Sequence, residues 1–230
     1  FDAVAERLRE GAPTPLVVWD VGLGAAHNAM AAIACCETLA AENAGTLRPL
    51  ELISFEDDVA ALRLALRNSP RFPHLRGPGP TRLLRFGRWQ SERAPLTWTL
   101  LEGDFRARML DAATPDCIYF DPFSSKTNPG LWTLDCFESL FAICAEHDTE
   151  LYTYSTSTPI RVATTFVCLV GCGFACLAGS LDETADEWSD QDADAVVRNR
   201  DERDVISHEI DELRHFKQLA TNIRDNAKGK

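Results

Sequence analysis

Short apolar runs that stop on an acid or a glycine, separated by stretches with helical patterning, constrain this chain more than any other feature. Leu16-Val17-Val18-Trp19-Asp20-Val21, Leu50 to Phe55, Leu96 to Leu101, Asp116 to Phe120 and Glu150 to Tyr154 each have the length and side chains of one buried strand. Between them, Ala25 to Ala41, Val59 to Arg67, Phe105 to Ala112 and Leu131 to Glu146 read as helices, with Val59, Leu62, Ala65 and Leu66 sharing a face of the second. Pro159 to Cys172 and Phe174 to Ala178 continue the series as a helix and a sixth strand. Such alternation predicts an α/β fold with a doubly wound, mostly parallel sheet of the Rossmann-like kind. Ser69 to Gly87, with Pro70, Pro73, Pro78 and Pro80, reads as a loop. The pattern stops near residue 180. We expect residues 1–180 to form one domain and 181–230 an acidic tail, helical or partly disordered.

Composition narrows the function. No apolar run approaches membrane-spanning length, so no membrane contact is expected. The eight cysteines include no Cys-x-x-Cys pair, which fits reduced thiols and a cytoplasmic location. Cys168, Cys172 and Cys176 are spaced by four, but no His or acid joins them, and no metal is expected. The formal net charge of −12 argues against non-specific nucleic-acid binding. Arg76, Arg82, Arg85, Arg88 and Arg93, with Trp89 among them, form the one basic-rich segment; a solvated surface loop is the plain reading, a phosphate contact the sharper one. Oligomeric state is not legible.

The strand ends carry the chemistry. Parallel sheets bind ligands at their carboxyl edge. The first tip is Asp20-x-Gly22-x-Gly24 leading into a helix, where glycines allow close approach of a ligand. The second is Glu56, placed for a ribose diol, and the third Gly103-Asp104, placed for an adenine amino group. The fourth is Asp121-Pro122-Phe123, a carboxylate, a rigid proline and an aromatic wall that suit an amine. This ordered set describes a nucleoside pocket. NAD needs a pyrophosphate cradle, and Ala26-His27 follows Gly24 where the dinucleotide fingerprint has its third glycine. S-adenosylmethionine carries no phosphate and tolerates the shorter run, so it is the favoured cofactor.

The chain resembles the methyltransferase domain of the MnmC family of tRNA 5-methylaminomethyl-2-thiouridine biosynthesis. The family's acid-x-Gly-Phe-Gly-x-Gly-x-Asn loop is filled by Asp20-Val21-Gly22-Leu23-Gly24-Ala25-Ala26-His27-Asn28, with Leu23 and Ala26 as departures. Ser54-Phe55-Glu56 and Gly103-Asp104 match the second and third tips. Phe120-Asp121-Pro122-Phe123 leads to Asn128-Pro129-Gly130-Leu131-Trp132, which fits the family's Asn-Pro-x-x-Trp; Thr153-Tyr154-Ser155 and Cys172-Gly173-Phe174 match later segments. The likeness covers roughly residues 14–178. It implies that Asp121 binds and deprotonates a substrate amine. Asp20, Gly22, Gly24, Asn28, Glu56, Gly103, Asp104 and Asp121 would hold the donor, and Pro122, Phe123, Asn128, Trp132 and Tyr154 would line the substrate pocket. It also implies tRNA as partner, against which the acidic Ser180 to Asp194 segment stands where the family is Gly-, Lys- and Arg-rich.

The expected reaction is direct methyl transfer to an amine, most simply the aminomethyl group of a tRNA wobble uridine. Other readings stay open: an amine methyltransferase with a different acceptor, a catalytically degenerate scaffold that binds a protein through its tail, and an NAD-type oxidoreductase. His27, at a helix start where positive charge is disfavoured, reads as a packing residue. Ser124 and Ser125 have no neighbouring His in sequence to activate them.

Overall fold

A computed structural model of the chain describes residues 2–42, 46–122, 127–145 and 147–153. The sequence-predicted helix at 159–172, the strand at 174–178, the domain boundary at 180, the tail, Phe123, Tyr154 and the three late cysteines lie outside the described residues.

Helix α1 (Asp2–Arg9) precedes β1 (Leu16–Val21), α2 (His27–Glu42), β2 (Leu50–Glu56), α3 (Ala60–Arg67), α4 (Gly79–Phe86), β3 (Arg88–Gln90), β4 (Leu96–Glu102), α5 (Phe105–Arg108), β5 (Cys117–Phe120), α6 (Leu134–Cys144) and β6 (Glu150–Tyr152). The strands form one sheet in the order β3-β4-β2-β1-β5-β6. Among the described residues every pairing is parallel except β3 with β4. The sheet is thus doubly wound and mostly parallel, as expected, with an antiparallel edge that sequence did not reveal. Chain order reverses at β1, which has β2 on one side and β5 on the other. That reversal opens a crevice at the carboxyl ends of β1 and β5.

Both faces of the sheet are covered, and the strand side chains divide accordingly. Leu16 and Val18 join a core with α1, α2 and Leu62 and Ala65 of α3, whereas Val17, Trp19 and Val21 join one with Phe105 and α6. All six residues of β1 are buried, as a central parallel strand requires. The second core is aromatic. Trp19 meets Phe55 edge-on at 5.0 Å between ring centres, Phe55 meets Phe105 at 5.0 Å, and Phe120 meets Trp132 at 5.2 Å.

Two differences from the sequence reading have clear causes. The proline-rich stretch before Gly87 contains 3₁₀ turns at Ser69–Arg71 and Pro73–Leu75 and then α4, which runs over eight residues. Pro80 sits in the first turn of α4, where its missing N–H costs nothing, and Gly87 closes the helix in the left-handed conformation at φ 70°. The prolines that suggested a loop are placed where a helix accepts them. α1 was given no assignment, yet Val4 and Leu8 are buried on one face, and the Arg7 Nη1 donates to the Asp116 carbonyl at 2.7 Å. The five described cysteines form no disulfide, and burial pushes the Cys36 and Cys117 thiols up to about 12, which leaves them inert as nucleophiles.

Candidate active site

The crevice at the strand reversal is a cleft of about 190 Å³. Gly22, Gly24, Glu56, Gly103, Asp104, Asp121, Pro122 and Asn128, eight residues singled out in the sequence, all line it. Five more that the sequence did not single out complete the lining: Val21, Phe55, Asp57, Phe105 and Leu131. Val21, Phe55, Phe105 and Leu131 supply apolar wall, and Asp57 adds a carboxylate. Their signal was adjacency to the tips, and strand burial hid it.

Gly22 sets the width of the crevice. The Asp121 N–H donates to the Val21 carbonyl at 2.9 Å, which holds the β5 tip beside the β1 tip. A Cβ on Gly22 would lie 2.6 Å from the Asp121 carbonyl oxygen and 2.7 Å from the Pro122 Cα, closer than real atoms approach. Only glycine permits these two strand ends to touch. Its N–H and that of Leu23 both donate to the Phe55 carbonyl, so the turn is tied to β2 as well.

Glu56 braces the same turn from the other side. Its Oε2 accepts from the Gly24 N–H at 2.8 Å, and its Oε1 accepts from the N–H groups of Asp57 and Asp58. Burial raises the Glu56 pKa, and the Gly24 bond opposes that shift. Asp104 caps α5: its Oδ1 accepts from the Arg106 N–H at 3.1 Å, and its Oδ2 pairs with the exposed Arg106 guanidinium at 3.4 Å. Both carboxylates therefore keep a stable direction at the cleft while retaining accepting capacity.

Asp121 is exposed at the cleft mouth. The Asn28 side chain, at the start of α2, donates to its carboxylate. Partial desolvation raises the Asp121 pKa, and the Asn28 bond works against that rise. A base with a raised pKa holds a proton more readily than an ordinary aspartate.

Asp20 and Trp132 lie elsewhere than at the cleft surface. Asp20 is 1% exposed and points into the sheet, where the Ser54 hydroxyl donates to its Oδ2 at 2.8 Å and the Trp98 indole N–H donates to that hydroxyl at 2.9 Å. Burial raises its pKa to about 7, the Ser54 bond lowers it, and the charges of Asp121 and Glu56 raise it further. It sits beneath the site and feels the site's charge. Trp132 stacks edge-on against Phe120 in the aromatic core and is absent from the cleft lining. Phe123 and Tyr154 lie outside the described residues.

Ala26, where the family loop has glycine, adopts φ 60° with its methyl fully buried. His27 is exposed and stacks on His74 at 3.9 Å, and the His74 Nε2 lies 2.9 Å from the Ala25 carbonyl. Desolvation and the neighbouring His74 lower the His27 pKa, so it is neutral at pH 7 and packs as expected. Among the described residues no group of three or more His, Cys, Asp or Glu is arranged to hold a metal. Among them, too, no helix is long and apolar enough to cross a membrane.

Residues 76–176 match a family model described as S-adenosyl-L-methionine-dependent methyltransferase, a span that includes Gly103, Asp104, Asp121 and Asn128. No curated protein sequence matches the chain. Among solved structures, the crystal structure of MNMC2 from Aquifex aeolicus is similar over 72% of this chain at 23% identity, with a TM-score of 0.49. The similar region covers 49% of that protein, so this chain spans about half its length.

Proposed function

We propose that this chain, which matches an S-adenosyl-L-methionine-dependent methyltransferase family model over residues 76–176, methylates an amine held at Asp121, with the aminomethyl group of a tRNA wobble uridine as acceptor. The observation that carries the reading is the Asp121 carboxylate at the mouth of a cleft that Gly22, Glu56 and Asp104 also line.

The cleft fits the methyl donor. The lining offers carboxylates without a cationic phosphate cradle. A cation with ribose and amino groups suits that donor set. Glu56 and Asp104 would accept from the ribose diol and the adenine amine, between the apolar walls of Phe55, Phe105 and Leu131. The Gly22–Gly24 turn would hold the amino-acid end. When bound, the donor supplies a methyl group activated by a sulfonium.

The chain's own residues do the rest. Asp121 accepts an N–H bond from the neutral amine and orients its lone pair toward the donor. On taking the methyl group the amine nitrogen would become positive, and Asp121 would stabilise that charge and take the proton. Asn28 fixes the carboxylate's direction. The raised Asp121 pKa makes it a better acceptor, and it acts only when ionised.

The wobble-uridine acceptor is supported by the Asn128-Pro129-Gly130-Leu131-Trp132 match to the MnmC family. One observation favours a second acceptor class. Asp57, Asp104 and Asp121 are exposed at the cleft in a chain of charge −12, which suits a small cationic amine. Incubation with labelled donor, followed by separation of tRNA, protein and small-molecule fractions, decides between them. Label in tRNA supports the first reading; label confined to small molecules replaces it with the second. Asp121→Asn should bind donor within a few-fold of the parent and lower kcat about 10²- to 10⁴-fold. Unchanged turnover in that variant removes Asp121 from the chemistry.

A further inference from the structure

The arginine-rich segment that the sequence left as a loop folds into α4 and β3, and the groove along them is unused by the methyl-transfer site. It measures about 400 Å³ and is lined by Arg82, Phe86, Arg88, Gln90 and Glu92 among others. Between residues 76 and 93 the chain carries five arginines against the single acid Glu92, a net +4 within a molecule of −12. Arg82 and Arg88 are exposed, and their guanidinium groups form no hydrogen bond or ion pair with any described residue. Phe86 is 65% exposed, and the Arg85 guanidinium lies 5.1 Å from its ring centre. Arg82 and Phe86 are four residues apart, so they are neighbours on one face of α4.

An exposed phenylalanine flanked by unpaired guanidiniums gains most from a ligand that is both anionic and flat. Nucleic-acid single strands are both: phosphates take the arginines, and an unstacked base takes the ring and its guanidinium partner. The position supports the same occupant. The Leu100 N–H donates to the Gly87 carbonyl at 2.8 Å, so the Phe86-Gly87-Arg88 end of the groove lies beside the carboxyl end of β4. β4 leads directly into Gly103 and Asp104 of the cleft. From β3 to β5 is four strand spacings, about 19 Å along one sheet edge.

We infer that the α4–β3 groove is a docking surface for a single-stranded RNA segment, with Phe86 stacking on a base and Arg82, Arg85 and Arg88 meeting the backbone. The inference rests on the RNA-acceptor reading only for the purpose of docking; the binding itself stands or falls separately.

The test measures binding of a fluorescein-labelled 12-nucleotide single-stranded RNA to the full chain by anisotropy across a salt series. Phe86→Ala should weaken binding about tenfold. Arg82→Ala and Arg88→Ala should each lower the slope of log affinity against log salt by about one. Melting temperatures and methylation of a small amine should stay at parent values, because these side chains are exposed and remote from Asp121. RNA affinity and salt slope unchanged in Phe86→Ala and in the double arginine variant would overturn the inference. So would polyglutamate or anionic phosphatidylserine vesicles binding as tightly as RNA with no effect of Phe86→Ala, since that result describes an acidic protein or lipid partner. The two readings separate cleanly. RNA binding with these dependences but no label in RNA keeps the groove and removes the RNA acceptor. Label entering RNA equally in parent and variants does the reverse.

Discussion

Three residues at the β1 tip show how closely backbone and chemistry are joined. Gly22→Ala would add left-handed strain to a direct overlap with the Asp121–Pro122 backbone. The expected loss is about 3 kcal/mol or more in denaturant unfolding, with donor binding abolished. Ala26 gives the contrasting case. Its φ of 60° costs about 1 kcal/mol, but a glycine there would lose a buried methyl worth about 0.8 kcal/mol and loosen the unfolded chain. Ala26→Gly should therefore be nearly neutral, while Ala26→Val, branched at a positive φ, should cost over about 2 kcal/mol. Asp20 carries a pH signature. Its folded pKa of about 7 lies above the unfolded value of 3.8, so the folded state holds the proton longer. That contribution is fully present below pH 4 and is lost as pH rises toward 7. Asp20→Asn, which mimics the protonated acid, should flatten the fall in unfolding free energy between pH 4.5 and 7.5, a slope on the order of 1.4 kcal/mol per pH unit at most. An unchanged slope would mean that Asp20 does not titrate in this range.

At the scale of elements, the edge of the sheet opposite the cleft is pinned by one carboxylate. Asp116 Oδ2 accepts from the Val17 N–H at 2.8 Å, Oδ1 pairs with Arg48 at 3.2 Å, and the His147 Nε2 lies 3.4 Å from Oδ1. Its carbonyl accepts from Arg7 of α1 and from the Glu150 N–H of β6. One residue thus joins α1, β1, β5 and β6. Asp116→Ala should cost about 3 kcal/mol, because it strands the buried Val17 N–H and removes the nearer carboxylate of Arg48, and a double-mutant cycle with Arg48→Ala should recover part of that loss. None of this was legible in the sequence, since Asp116 reads only as the residue before an apolar run. The strands of the central sheet are legible because a strand buried on both faces is mostly apolar, with Asp20 and Ser54 as a hydrogen-bonded exception. α4 is hidden by its proline content until position is considered: Pro80 in a first turn and Gly87 just past the last mark a helix as clearly as they mark a loop. β3 was missed for a different reason. It is three residues long and exists only through its pairing with β4.

For the molecule as a whole, electrostatics separates donor from product. The cleft presents Glu56, Asp57, Asp104 and Asp121, and the chain carries −12 overall. S-adenosylmethionine has a sulfonium charge that S-adenosylhomocysteine lacks. Raising NaCl from 0.05 to 0.5 M should weaken donor binding several-fold in calorimetry and weaken product binding less, because screening removes only attraction that a charge supplies. Equal salt dependence would show that the carboxylates do not act through charge. Most of the lining was legible as an ordered series of strand tips. The depth at which each tip sits was not: Asp20 and Glu56 both end apolar runs, yet one is sealed beneath the floor and the other faces the cleft.

The contact between Gly22 and the Asp121–Pro122 backbone has one more consequence. The two strand ends are in mutual contact, so under the proposed function the seat of the methyl group and the seat of its recipient would form a single stiff part. A substitution that reshapes one necessarily shifts the other. New recipients would therefore be acquired by altering the outer rim, such as the segment that carries Asn128, while the central pair of strand ends stays as it is.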